Sequence, residues 1–376
     1  MRGTLAAPRR TEETHKRGPG AVLLVGNFTS GSARYGSVGR ELAANLERAG
    51  WRVLRTSFHE KKALKVLDML YTCWTERRHF EVAHVELYSG KAFLWGEAVC
   101  GLLRRLGKPY VIALHGGNLP NFADKRGPRV RKLLRSAFAV VSPSEYLQEA
   151  FNSCLSDVQL IPNALDLSVY PARVRNRPAP RLIWLRAFRE MYAPEVAVDA
   201  FAAIVSEFPD GRLVMIGPDR RDGSLQRTVD RAKHLGVADR VSIIPGVPRS
   251  EVPAYLDNAD IFLNTTTIDN TPVSVIEALA CGLCVVSTNV GGIPYLLRDG
   301  RDGLLVPPGD GVGMGAAVRR ILTEEGLALK LSGNAVKKAN KYSWNTVLPR
   351  WNRLLRSANP SGRADLNQDP CHASVD

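Results

Sequence analysis

The chain is poor in cysteine, in long apolar runs and in acidic residues, and each shortage narrows what it can be. Six cysteines among 376 residues cannot frame a disulfide scaffold. Cys281 and Cys284 form a C-x-x-C, but no second Cys/His pair lies at zinc spacing. Their neighbours read as a helix running into a strand, so both are expected as small buried hydrophobes. No stretch reaches the roughly 18 apolar residues of a membrane span. The first twenty residues are basic and polar without an apolar core, so no secretory leader is read there. The expected compartment is the cytoplasm, with peripheral contact at the inner membrane face.

The shortage of acid is the most informative. The chain carries 51 Lys and Arg against 37 Asp and Glu, a net charge of +14. The excess is uneven, because residues 1–165 hold 25 basic against 14 acidic residues and the remainder 26 against 23. An anionic surface or ligand is therefore expected to meet the first half. Hydrophobic residues at 45% and charged residues at 23% are otherwise ordinary for a soluble globular protein. The length suits two domains rather than one.

What is present is a rhythm. AVLLVGN (21–27) reads as a buried strand, followed by a helix over about 36–49 in which Leu42, Leu46 and Ala49 share a face. VIALHGG, FAVVSPS and VQLIPN are further strand ends closing in Gly, Ser, Pro or Asn, with helical patterns between them. PARVRNRPAPR (171–181) has no period and reads as a linker. After it RLIWL, GRLVMIG, RVSIIPG, DIFLNT, LCVVST and DGLLVP restart the pattern. The fold expected is α/β, two Rossmann-like doubly wound domains facing across a cleft. The expected division is a basic tail over 1–19, a first domain over 20–165 and a second over 166–340 that opens on a linker at about 166–181. A closing helix over 341–358 is expected to cross back to the first domain, and the tails 1–19 and 359–376 to be disordered.

Such sheets bind ligands beyond the carboxyl ends of their strands, and there the stretch DNTPVSVIEALACG (269–282) raises a question. A helix can begin at Thr271 or Ser274, with Pro272 suited to its first turn. The N–H groups of Val273, Ser274 and Val275 would then face outward as a cradle for phosphate. Ser274 and Glu277 equally fit a capping box ahead of an apolar run. Both readings stand on the residues alone.

The run from Asp269 to Gly303 resembles the signature of retaining nucleotide-sugar glycosyltransferases of the GT-B fold, in family four of the usual sequence classification. Two acids flank seven residues, followed by ACGLCVVS and NVGGIPYLLRDGRDGLLV. IPNALD (161–166) and LHGG (114–117) extend the likeness over most of residues 20–356. The resemblance implies that Glu277 binds the donor ribose and that Asp269 contacts the transferred sugar. It further implies that Asn270, Thr271, Pro272, Val273 and Ser274 present backbone N–H groups to sugar and diphosphate. His115 corresponds to a histidine facing the donor sugar, and Arg186, with Arg189 beside it, to the diphosphate-binding arginine. Gly246 and Val247 correspond to the region meeting the nucleobase.

Three departures accompany the match. Asp269 stands where Glu is more usual, one methylene shorter. Met191-Tyr192 stand where a lysine is usual. Ala33-Arg34 replace paired glycines, with Gly31 and Gly36 close by. The implied donor is a nucleoside-diphosphate sugar, with no further cofactor and no metal.

The expected acceptor is a saccharide or lipid-linked saccharide in polysaccharide or glycoconjugate synthesis. The dense Lys and Arg of KRGPRVRKLLR (125–135) and the mixture of Lys, Leu, Tyr and Trp in EKKALKVLDMLYTCWTERR (60–78) fit an anionic membrane surface. The second stretch equally fits an ordinary helix with a core side and a solvated charged side. Two rivals are a nucleotide-sugar epimerase, for which no acid/base constellation is found, and a basic nucleic-acid-binding protein. The latter lacks a recognition module, and no nucleic-acid partner is expected.

Overall fold

Two parallel six-stranded sheets, each covered by helices on both faces, organise the chain. A computed structural model describes residues 19–28, 38–59, 61–152, 155 and 157–359. The first sheet contains β1 (Ala21–Val25), β2 (Arg52–Thr56), β3 (Val82–Leu87), β4 (Tyr110–Leu114), β5 (Ala139–Ser142) and β6 (Val158–Leu160), in the order β2-β1-β3-β4-β5-β6. The second contains β7 (Arg181–Leu185), β8 (Arg212–Ile216), β9 (Val241–Ile244), β10 (Ile261–Asn264), β11 (Cys284–Thr288) and β12 (Leu304–Val306). Their order is β12-β11-β10-β7-β8-β9. In both sheets the order reverses once, with β1 beside β3 and β7 beside β10. Ligand crevices open at such reversals.

The central strands are continuous apolar runs because helices cover both of their faces. β1, β3, β4, β10 and β11 are buried along their whole length. β2 and β3 have no counterpart in the sequence reading. β2 alternates Arg with Val and Leu, and β3 carries His84 and Glu86 inside a fully buried strand, which breaks the apolar run that marks its neighbours.

The segment joining the two sheets is anchored. Arg175 is buried, and its guanidinium donates to the carbonyl oxygens of Cys281 and, at 3.0 Å, of Ala259. It also lies 3.4 Å from the Asp260 carboxylate, so burial of the charge is offset by acceptors and a counter-ion. Cys281 and Cys284 are both buried, and burial pushes their thiols up to about 12.

The helix Trp344–Ala358 returns to the first domain, with Pro349 inside it. Trp51 Nε1 donates to Asn352 at 2.9 Å. Trp351 meets His84 edge-on at 5.1 Å. Trp344, Val347 and Leu355 join the first-domain core beside Leu42 and Leu46. Burial of such side chains is worth about 1.5–3 kcal/mol each, so this helix ties the two halves together. Among the described residues no helix is long and apolar enough to cross a membrane.

Candidate functional site

The stretch after β10 fills the crevice of the second sheet, and glycines decide its shape. The loop at Asp269 and Asn270 is held from behind by the G-G-I-P turn. Gly292 N–H donates to the Asp269 carbonyl at 3.1 Å. A side chain on Gly291 or Gly292 would collide with the carbonyls of Asp269 and Asn270. Gly291 also sits at φ +52°, a region glycine enters without strain. From the first domain Gly117, two residues past His115, lies so close that a Cβ would stand 2.7 Å from the Asp269 carbonyl carbon. The Ser144 hydroxyl donates to Asn270 Oδ1 across the same gap. Asp269 and Asn270 are therefore set by both domains.

The helix following this loop is Val273–Ala280, with Pro272 as its N-cap. This corrects two expectations. Pro272 precedes the first turn rather than opening it. Ser274 and Glu277 form no capping box, since Ser274 Oγ is buried without a partner and Glu277 turns elsewhere. Val275 N–H is also taken, by the Pro272 carbonyl at 3.1 Å, which leaves Val273 and Ser274 to face the crevice.

Glu277 is 5% exposed. It accepts from the Tyr170 hydroxyl at 2.8 Å and lies 3.5 Å from the Arg249 guanidinium. Burial pushes its carboxyl above the usual range, while Arg249 and the Tyr170 hydroxyl pull it back. Arg249 in turn reaches Glu41 of the first-domain helix Val38–Arg48 at 2.6 Å. Neither Tyr170, Arg249 nor Glu41 stood out in the sequence.

Arg186, just past β7, pairs with Asp269 Oδ2. Its guanidinium lies 4.3 Å over the ring of Tyr192, so the aromatic residue of the Met191-Tyr192 departure supports the arginine through its π face. Arg186 Nε is buried with no partner. Gly217 on the neighbouring strand end would strike the Arg186 carbonyl if it carried a Cβ, so the β7 and β8 ends close tightly around this residue.

Two chambers meet at Arg186. One is lined by Arg186, Arg220, Gly246, Val247, Arg249, Ser274 and Glu277, all from the second domain. The other opens between the domains and is lined by His115, Gly117, Arg186, Arg189, Tyr192 and the stretch Asp269–Val273. The structure thus gathers the sequence-selected residues into two adjoining spaces, with Val273 shared by both. Gly36 lies outside the described residues, as do Gly31, Ala33 and Arg34.

His115 forms part of the first-domain wall. Its ring stacks on Tyr88 at 5.2 Å, and the Tyr88 hydroxyl donates to the buried Glu86 at 3.0 Å. Burial holds the imidazole below its ordinary value, against the pull of Glu86. It is therefore a neutral hydrogen-bonding group at pH 7. Tyr88 and Glu86 were missed in the sequence because β3 itself was.

Comparison with known proteins follows the same division. Residues 172–338 match the family model Glycosyl transferases group 1. The chain is 29% identical to a phosphatidylinositol N-acetylglucosaminyltransferase component from Arabidopsis thaliana, over 67% of this chain and 58% of that protein. It is 28% identical to a D-inositol 3-phosphate glycosyltransferase of Actinosynnema mirum, over 72% of each. Among solved structures, Anabaena HepE in complex with UDP superposes with a TM-score of 0.73 at 18% identity, covering 90% of this chain and all of that one. The sucrose-phosphate synthase of Thermosynechococcus elongatus gives the same TM-score and identity, over 90% and 98%. The fold is GT-B, and the likenesses support glycosyltransferase as the enzyme class.

Proposed function

We propose that the chain transfers a sugar from a nucleoside-diphosphate sugar to an acceptor hydroxyl with retention at the anomeric carbon, acting as a hexosyltransferase. The observation that carries this reading is the position of Arg186, whose guanidinium borders both chambers and keeps a buried Nε without a partner. A diphosphate placed there extends its nucleoside into the chamber of Glu277 and its sugar into the chamber of Asp269 and His115. Ser274 Oγ, also unpartnered, and the N–H groups of Val273 and Ser274 face the same anion.

The chemistry follows from charge. As the bond from C1 to the diphosphate oxygen breaks, negative charge gathers on the leaving group. Arg186 and the preorganised N–H donors stabilise that charge where it develops. A new bond forms from C1 to the acceptor oxygen, whose proton passes to a leaving phosphate oxygen. The carboxylate of Glu277 accepts from ribose hydroxyls, a cis-diol that a buried carboxylate suits. Asp269 accepts from a sugar hydroxyl, and neutral His115 lies across the cleft from it. Arg220 and Arg249, both in the nucleoside chamber, supply cationic charge in place of the lysine usual near Met191. The acceptor proposed is a saccharide or lipid-linked saccharide of polysaccharide or glycoconjugate synthesis.

Incubation with a panel of UDP-, GDP- and ADP-sugars and simple glycoside acceptors tests the reading, with products followed by proton NMR. A product with the anomeric configuration of its donor supports it. An inverted product overturns the retaining assignment, and no nucleotide release from any donor overturns the transfer reading.

A further inference from the structure

The helix Lys62–Thr75 has two apolar sides, and only one of them is used. Met69 and Cys73 are fully buried in the first-domain core. Leu64, Leu67, Tyr71 and Trp74 are 45, 62, 69 and 53% exposed. At spacings of three, four and three residues they form one stripe along the helix, opposite Met69 and Cys73. The sequence expectation of a core side and a solvated charged side is therefore half right, because the outer side is apolar. Single exposed hydrophobes need no explanation, but a contiguous run of four on one helix marks an interaction site.

The charges around the stripe identify the occupant. Lys61 and Arg78 are exposed at its two ends, and the Arg77 guanidinium lies 4.4 Å over the Trp74 ring. The carboxylate within the helix, Asp68, borders the stripe one turn from Leu64 and accepts from the Thr56 hydroxyl at 3.0 Å, and Glu76 at the helix end is paired with His79 at 2.9 Å. The neighbouring helix Ala92–Arg105 adds Leu94, also exposed, with Lys91 just ahead of it. Its Glu97 is paired with Arg129 at 2.8 Å. Arg129 belongs to the helix Leu119–Leu134, which also exposes Lys125, Arg126, Arg131 and Lys132. A second copy of the chain docking here would set cation against cation. Apolar and aromatic side chains bounded by Lys and Arg suit the boundary between headgroups and acyl chains.

We propose that this face of the first domain docks on a bilayer carrying anionic headgroups. Leu64, Leu67, Tyr71 and Trp74 enter the headgroup–acyl boundary, and the surrounding lysines and arginines lie over lipid phosphates. This goes beyond the transfer reaction and is independent of it.

Co-sedimentation of the full chain with vesicles of phosphatidylcholine and phosphatidylglycerol tests the docking. The wild type is expected in the pellet at low salt, with binding weakened by salt and by omission of phosphatidylglycerol. The triple variant Leu67→Ser, Tyr71→Ser, Trp74→Ser should bind at least about tenfold more weakly. The charge variant Lys61→Glu, Arg78→Glu should lose the phosphatidylglycerol dependence. Both variants should keep the wild-type unfolding midpoint and the wild-type turnover of a soluble acceptor. A wild type that stays in the supernatant at low salt overturns the proposal, as does a triple variant that pellets equally. A dimer in sedimentation velocity that the triple variant dissolves, without vesicle binding, assigns the stripe to a second copy instead.

Discussion

Arg249 of the second domain holds Glu41 of the first at 2.6 Å while standing 3.5 Å from Glu277. One guanidinium thus links the first-domain helix to the buried carboxylate that lines the second-domain chamber. Removing it leaves Glu277 buried beside one neutral hydroxyl. Arg249→Ala is expected to weaken donor binding by about tenfold or more, and Glu41→Gln to do so less, since it leaves the Arg249–Glu277 contact in place. Isothermal titration with a nucleoside-diphosphate sugar checks the order.

Arg186 pairs with Asp269, so in the proposed reaction this arginine is shared between a carboxylate and a diphosphate. Arg186→Lys keeps the charge but loses the planar fork and its seat on Tyr192. A fall in kcat of about 10²–10³ is expected, the size seen when one transition-state donor is removed. Asp269→Glu restores the longer acid and should change the ranking of donor sugars in a turnover panel. An unchanged ranking would mean that the length of this acid does not select the sugar.

Much of this architecture was legible in the sequence, for a physical reason. β4, β10 and β11 are buried on both faces and therefore read as unbroken apolar runs, while the strand ends carry the Gly, Pro and Asn that their turns require. Asp269 and Glu277 stood out because the segment between them is uncharged, and Arg186 through the family resemblance at the end of RLIWL. β3 was hidden by His84 and Glu86, polar residues that a buried strand tolerates only with local partners such as the Tyr88 hydroxyl. Arg249, Tyr170 and Glu41 were hidden for a different reason. Their meaning lies in a meeting of segments distant in the chain, and nothing local marks them.

Glu277 also gives a prediction about stability. Its carboxyl is pushed above the ordinary range, chiefly by burial. A raised folded value means that stability is fully present below the unfolded value and lost as pH rises through the folded one. Above that folded value the chain carries the penalty of a charged, buried Glu277. Glu277→Gln should leave the unfolding midpoint at pH 8 equal to or above that of the wild type. The same substitution should abolish the upward shift produced by a nucleotide sugar. Scanning fluorimetry with and without UDP-, GDP- and ADP-sugars reads both effects.

The imidazole of His84 works in the opposite direction. Burial, followed by the proximity of His115, lowers it to about 3. A depressed folded value means stability that is present above the unfolded value, about 6.5, and lost as pH falls from there toward 3. Each pH unit inside that window removes up to about 1.4 kcal/mol. Urea unfolding at pH 7 and pH 5 should show a loss of about 2 kcal/mol from this residue. That pH-dependent loss should be absent in His84→Gln.

In the proposed function Asp269 and Glu277, on either side of the Val273–Ala280 helix start, hold a nucleotide-sugar donor. The most direct test of this role is turnover, measured as nucleotide release across the donor panel for wild type, Asp269→Ala and Glu277→Ala. Release with at least one donor is expected from the wild type, and a fall of about a hundredfold or more in both variants. Near wild-type rates in both variants would contradict it.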